Sequence, residues 1–359
     1  MIGVKPEGAD GAAVHVIGGA VDTQWLRAFA QAHETAGFDR VLVGYTSTAA
    51  EGFAVTGYAA ANTERLGYLI AHRPGFVAPT LTARSAATLD QVTGGRVALH
   101  IITGGSDVEQ SRDGDWLDHD TRYRRTDEYL HVLRRMWTSA APFDHEGEFY
   151  RFAGAFTDVK PLRAEGIPLY FGGASGPAGV VGAKHCDVYA IWGEPLAAAT
   201  ARIADIREKA AAFGRRPRIS VSLRPIIAPT EAQAWERARA ILARVRHTGR
   251  HIVGEGPGIR PQAVGAQRLI EFAAQSEVHD KRLWTAIAAA MGGAGNTTAL
   301  VGTPEQVAES LLAYYDIGCT TLLIRGFDPL NDAIDYGREL IPLVRAEVAR
   351  RDRAAMVSA

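Results

Sequence analysis

The chain has 359 residues, 47% of them hydrophobic, and a formal charge of −1 at neutral pH, which is enough apolar content for one large core. Near-zero charge with no basic block excludes nucleic-acid binding by phosphate neutralisation. No run approaches the ~20 apolar residues of a membrane span and no basic-then-apolar leader is visible, so a cytoplasmic protein is expected.

In chain order, Val14–Ile17 reads as a first strand, followed by a helix over Thr23–Ala36 with Gly37 as its C-terminal cap. Arg40–Val43 and Leu66–Ala71 are the next strands, and Thr80–Thr93 is a helix closed by Gly94 and Gly95. Val97–Ile102 is an apolar strand of the kind covered on both faces, and a long helix spans Arg122–Ser139. Leu169–Phe171, Val188–Trp192, Ile219–Ile227 and Thr321–Ile324 supply four more strands, each followed by helical sequence. Eight strand-then-helix units predict a (β/α)8 TIM barrel with insertions, in a single domain over 1–359. One insertion is a hairpin at 143–152, where aromatic and polar residues alternate around Gly147. The other spans 247–302, carries the glycine patches GEGPG and GGAG, and is expected to form a lid. The tail from Arg350 is expected to fray.

Ligands of such barrels sit at the C-terminal ends of the strands. Those tips read His100-Ile101-Ile102-Thr103-Gly104-Gly105, Gly172-Gly173-Ala174-Ser175-Gly176, Trp192-Gly193-Glu194-Pro195 and Arg325-Gly326-Phe327, with Ser222 and Arg224 on the seventh strand. Glycines at several tips suit a flat ligand lying against backbone. The turn after Tyr170 and Phe171 is either a tight bend or an anion cradle, since glycine N–H groups there open a helix. His100 is either a ligand contact or a hydrogen-bonded core residue. Asp118-His119-Asp120 reads as a helix N-cap rather than a metal or acid–base group. Of Arg122, Arg124 and Arg125, at least two should face solvent, while Tyr123 could point a phenol into the barrel mouth. Cys186 and Cys319 lack metal-ligand spacing and are expected to be buried thiols; no metal site is expected. No HExxH, CxxC, Walker or GxSxG pattern occurs.

Several runs together resemble the bacterial luciferase-like flavin monooxygenases, most closely the alkanesulfonate monooxygenase branch: TERLGYLIAHRPG, PTLTARSAATLDQVTGGR, IITGG, LDHDTRYRRTDEYLHVLRRMW, PLYFGGASG, DVYAIWGEP, GGAG with ALVGTPEQVA, and DAIDYGRELIPLV. The resemblance implies a barrel that takes reduced FMN from a separate NAD(P)H-dependent flavin reductase. With O2 the flavin would form a C4a-(hydro)peroxyflavin and oxygenate a small, organosulfur or sulfonate-like substrate. By matching position, Thr103, Gly104 and Gly105 would line the flavin beside His100. Tyr123 with Gly172, Gly173, Ala174 and Ser175 would hold its phosphate. Homodimers or homotetramers are usual for the family.

The substrate side departs from that branch. Ser222 and Arg224 stand where an arginine and a histidine are usual, and Met291 replaces an arginine before GGAG. Phe327 replaces a tyrosine, Ala49 a cysteine, and Ile17-Gly18-Gly19 a threonine-histidine-glycine run. Arg224 and Arg325 become the candidate catalytic cations, stabilising an anionic substrate or the oxygenated flavin, or else pairing with Asp328 and Asp332. Trp192, Ser222 and Phe327 would shape the substrate pocket. A deazaflavin F420-dependent oxidoreductase and a non-catalytic flavin-binding protein are the alternative readings.

Overall fold

The computed structural model describes residues 1–6, 19–248 and 261–358. Helix α1 (Thr23–Thr35) starts where Asp22 accepts the N–H groups of Gln24 and Trp25. It ends before Gly37, whose φ of +81° a glycine adopts without strain. There follow β1 (Arg40–Val43), α2 (Gly52–Ala60), β2 (Gly67–His72), α3 (Pro79–Thr93) and β3 (Val97–Ile101). Next come α4 (Asp107–Arg112), α5 (His119–Thr138), the hairpin strands β4 (Phe143–Glu146) and β5 (Arg151–Ala155), and β6 (Leu169–Gly172). The chain continues through α6 (Gly176–His185), β7 (Val188–Trp192), α7 (Leu196–Ala211), β8 (Arg218–Ile227) and α8 (Glu231–Thr248). It then forms α9 (Val264–Gln275), β9 (Val278–His279), β10 (Leu283–Trp284), α10 (Ala286–Ala290) and β11 (Ala299–Gly302). Last are α11 (Pro304–Asp316), β12 (Cys319–Ile324), α12 (Pro329–Asp335), a π turn (Tyr336–Leu340) and α13 (Ile341–Ser358).

Parallel pairing runs β1-β2-β3-β6-β7-β8, and β12 joins the first half of β8. The second half of β8 pairs instead with β11, from Arg224 opposite Ala299 to Ile227 opposite Gly302. On the free edge of β1, the Ile2 N–H donates to the Leu42 carbonyl at 2.8 Å. The expected strand Val14–Ile17 lies outside the described residues. This is the TIM-barrel-type α/β fold, with two consequences of the strand period of two. Leu69, Ala98, Tyr170 and Val188 point inward and fill the lumen as one cluster. The alternate residues Leu99, Ile101, Phe171, Val221 and Leu223 point outward into the largest core cluster, which Ala83 of α3, Leu130 and Leu133 of α5 and Val181 of α6 share.

β4 and β5 pair as an antiparallel hairpin, and Glu128 of α5 fastens it by accepting the N–H groups of Phe149 and Tyr150, both at 2.9 Å. Of the segment expected as a lid, residues 261–302 are built into the body. Leu269, Leu283, Trp284 and Ile287 are buried, and β11 extends the sheet. The rest, 249–260, lies outside the described residues. The tail departs from expectation because α13 stays helical: Arg350 and Arg351 both bond Glu347, and Arg351 also bonds Asp316 of α11. Both cysteines are free and buried, and burial pushes each thiol up to about 12. Among the described residues no His, Cys, Asp and Glu cluster could hold a metal, and no helix is long and apolar enough to cross a membrane.

Candidate functional site

A cavity of about 420 Å³ opens above the lumen cluster at the C-terminal ends of the strands, a volume typical of small-molecule sites. Its walls are successive inward residues of each strand: Ala71 of β2 and Arg73 just past it, His100 of β3 and Ile102 just past it, Ala190 and Trp192 of β7, Ser220, Ser222 and Arg224 of β8, and Leu323 of β12 with Arg325 just past it. A cavity of about 520 Å³ runs along the seam between β1 and β12 toward their opposite ends. It carries none of the glycine tips, so the chemistry belongs to the first.

The turn after β6 is shaped from outside. The Gly173 carbonyl accepts the Tyr189 hydroxyl at 3.0 Å and Arg202 Nη2 at 2.5 Å. A trans peptide is planar, so fixing that carbonyl aims the N–H of Ala174 the opposite way. Ser175 then caps α6, its Oγ accepting the Ala178 N–H at 3.3 Å, which brings a helix N-terminus to the cavity wall. A β-carbon on Gly173 would lie 2.6 Å from Cβ of Ala178 and 3.2 Å from the Tyr123 hydroxyl. That hydroxyl faces Ser175 and Thr103, and burial raises its pKa, so it remains an O–H donor at neutral pH. Backbone donors, a helix start and a phenol thus meet at one point, a donor set that fits a phosphate.

The neighbouring tip is equally constrained. Gly104 adopts φ +101°, and its face is covered by Gln110, whose Nε2 donates to the Thr103 carbonyl at 2.7 Å. Gly105 lies against Ala263 at the start of α9. His100 is part-buried on the wall, and burial pushes its pKa down to about 4, so it is neutral near pH 7; its Nδ1 has no protein partner.

On the opposite side, Arg224 is 1% exposed and lies 4.6 Å over the Phe327 ring. The GGAG loop, with Gly292, Gly293 and Gly295 at φ of +62°, +76° and +71°, turns two carbonyls toward it. Arg224 Nε donates to Asn296 O at 3.0 Å and Nη2 to Gly295 O at 3.2 Å. Arg325 Nη2 reaches the same Gly295 carbonyl at 3.4 Å, so the two guanidiniums converge. Asn296 Nδ2 donates to Ser222 Oγ at 2.5 Å and closes the floor. Of the acids considered as partners, Asp332 binds Arg237 and Asp328 binds Asn331.

The structure therefore brings His100, Thr103, Gly104, Gly105, Tyr123, Gly172, Gly173, Ala174, Ser175, Trp192, Ser222, Arg224 and Arg325 around one cavity. Phe327 is the exception. It is fully buried behind Arg224, packed with Met291 in a separate cluster, because the turn after β12 carries it outward. The arginines of α5 also differ from expectation: Arg122 and Arg125 are buried against Asp107 and Asp115, and Arg124 alone of the three faces solvent. Asp118 caps α5, accepting the N–H groups of Asp120 and Thr121.

Of the charged wall residues, Arg73 and Arg202 were not singled out from sequence, and Glu194 only as part of the Trp192–Pro195 tip. Arg73 lies two positions beyond Ala71, and the strand alternation would have found it. Glu194 is buried and takes Arg268 of α9 through both oxygens, at 2.7 and 2.5 Å, with Arg202 at 3.4 Å. Arg202 sits midway along α7, where no sequence signal marks it.

Residues 9–321 match the profile of a family described as luciferase-like monooxygenases. Among solved structures, a riboflavin lyase holding modified FMN and riboflavin superposes with a TM-score of 0.76 at 19% identity, over 91% of this chain and 85% of its own. An EDTA monooxygenase from Chelativorans sp. BNC1 gives 0.72 at 18% identity, over 91% and 87%. An F420-dependent secondary alcohol dehydrogenase in complex with an F420-acetone adduct gives 0.66 at 20% identity, over 89% and 94%.

Proposed function

Since this chain belongs to the luciferase-like monooxygenase family, we propose that it is a two-component monooxygenase acting with reduced FMN and O2 on a small, anionic organosulfur or sulfonate-like compound. The observation that carries this reading is the meeting of the Gly172–Ser175 turn, Tyr123 and the Thr103–Gly105 tip on one cavity, which Arg224 and Arg325 enter from the other side. Reduced FMN, when bound, supplies the electrons and the oxygen chemistry, and an NAD(P)H-dependent reductase is the partner that delivers it.

The chain's own residues bind, orient and exclude water. The Gly172–Ser175 turn and Tyr123 take the phosphate. The Thr103–Gly105 tip, whose glycines let Gln110 and Ala263 pack close against it, would lie along a flat ring beside neutral His100. Arg224 and Arg325 receive the anionic head of the substrate and stabilise charge that develops next to it. Trp192 meets Gly265 of α9, whose would-be β-carbon lies 3.3 Å from the indole, and the two close one side of the mouth to water.

Anaerobic titration with reduced FMN, followed by O2 consumption with a panel of sulfonates and organosulfur compounds, tests the reading. Tight binding and substrate-dependent O2 uptake support it. Failure to bind reduced FMN overturns it, and exclusive binding of F420 replaces it with deazaflavin chemistry.

A further inference from the structure

Arg73 has no place in the functional reading so far, yet it lines the cavity with a side chain only 8% exposed. Its Nη2 donates to Glu109 at 3.1 Å, and its guanidinium lies 4.6 Å over the Tyr45 ring. Both supports are themselves fixed. Glu109 accepts the Ser47 N–H and hydroxyl, each at 3.0 Å, while Tyr45 donates to Asp113 at 2.9 Å and stacks on Phe76. The guanidinium is thus held rigidly, but its Nε and Nη1 are buried with no protein partner. Several other buried arginines leave Nε alone open, whereas Arg73 leaves Nη1 open as well, and that pair on a cavity wall marks where a ligand completes the set.

The strand order indicates which part of the ligand that is. The phosphate turn follows β6, the glycine tip follows β3, and Arg73 follows β2, and these are consecutive neighbours in the sheet. Adjacent strands lie ~4.8 Å apart, so the turn and Arg73 stand about 10 Å from each other across the glycine tip. A flavin whose phosphate is at β6 and whose ring crosses the β3 glycines ends at β2. Arg224 comes from β8, beyond β7, and Arg325 follows β12, across the seam from β1. The charge balance agrees. Several hydrogen bonds and Arg73 hold Glu109 below the usual carboxylate range against the effect of burial, so the Arg73–Glu109 pair offers donors without net charge. That suits the carbonyl-rich edge of a ring better than a fully charged substrate head.

We propose that Arg73 hydrogen-bonds the pyrimidine edge of the flavin ring and stabilises the negative charge gathered there on reduction. The inference rests on the flavin reading above. The test compares wild type, Arg73→Lys, Arg73→Gln and the double variant Arg73→Gln/Glu109→Gln, which leaves no buried carboxylate unpaired. Dissociation constants are measured for oxidised FMN and, anaerobically, for reduced FMN, together with the midpoint potential of the bound flavin. In Arg73→Gln and the double variant, reduced FMN should bind ~10- to 100-fold more weakly and oxidised FMN less than about threefold more weakly. The potential should fall by about 15–60 mV, the ratio of the two losses converted at ~30 mV per tenfold for two electrons. Arg73→Lys should lie between these values and wild type. Equal loss in both redox states, or no loss, overturns the proposal while leaving the flavin reading intact. A wild-type protein that binds neither form overturns both.

Discussion

Replacing Gly173 by alanine separates the phosphate end of the pocket from the ring end. The added β-carbon would stand 2.6 Å from Cβ of Ala178 and 3.2 Å from the Tyr123 hydroxyl. Ala178 is a fully buried residue in the first turn of α6 and Tyr123 is 7% exposed, so neither can swing aside and the turn itself must move. Overpacking of this kind costs about 1–3 kcal/mol. Moving the Gly173–Ala174 peptide also strains the two hydrogen bonds that fix its carbonyl, from Arg202 and Tyr189. If about 1.4–2.8 kcal/mol of that cost falls on the bound state, FMN affinity drops ~10- to 100-fold. Riboflavin has the same ring without the phosphate, so its affinity should change by less than about threefold. Side-by-side fluorescence titrations of FMN and riboflavin on the wild type and Gly173→Ala, with thermal melts to verify folding, give the answer. Unchanged FMN affinity, or equal loss for both ligands, would refute the assignment of the turn to phosphate.

Other consequences can be measured independently. Glu194→Gln removes a buried carboxylate held by Arg268 and Arg202; the loss should be about 3–5 kcal/mol, read as a lower urea midpoint at unchanged m. Arg224→Ala and Arg325→Ala should each lower kcat/KM ~10²-fold on the substrate that supports turnover. FMN affinity should stay within about threefold in both variants, and normal turnover in both would remove these arginines from the chemistry. Stability should also fall in mild acid. Burial holds His33 at about 3 and both His72 and His100 at about 4, so the folded chain carries fewer protons than the unfolded chain below their ordinary value of 6.5. Their contribution is complete above pH 6.5 and is lost progressively as pH falls toward 4. At pH 5 this amounts to about 2 kcal/mol for each histidine. Urea unfolding at pH 7 and pH 5 measures it, and equal stabilities would show that these imidazoles are solvated.

The barrel was legible because parallel strands covered on both faces leave short apolar runs, and the glycine tips because close backbone approach admits few other residues. Arg73 was within reach of the same logic, since period two carries the inward face from Ala71 to residue 73. Phe327 was misplaced because the turn past β12 breaks that alternation. Arg122 and Arg125 were misjudged because charge alone does not reveal a buried partner: Asp107 and Asp115 lie in α4 and the loop after it, an arrangement no spacing encodes. The Arg268–Glu194–Arg202 linkage joins three elements distant in sequence, so only the folded chain displays it.

The most direct test of the site is an anaerobic titration of the wild-type protein with reduced FMN, reduced riboflavin and F420. Reduced FMN should bind at least about tenfold more tightly than either of the others, because it alone offers a terminal phosphate to the Gly172–Ser175 turn on a ring that fits the glycine tip. Equal affinity for FMN and riboflavin, or tighter binding of F420, would contradict the assignment.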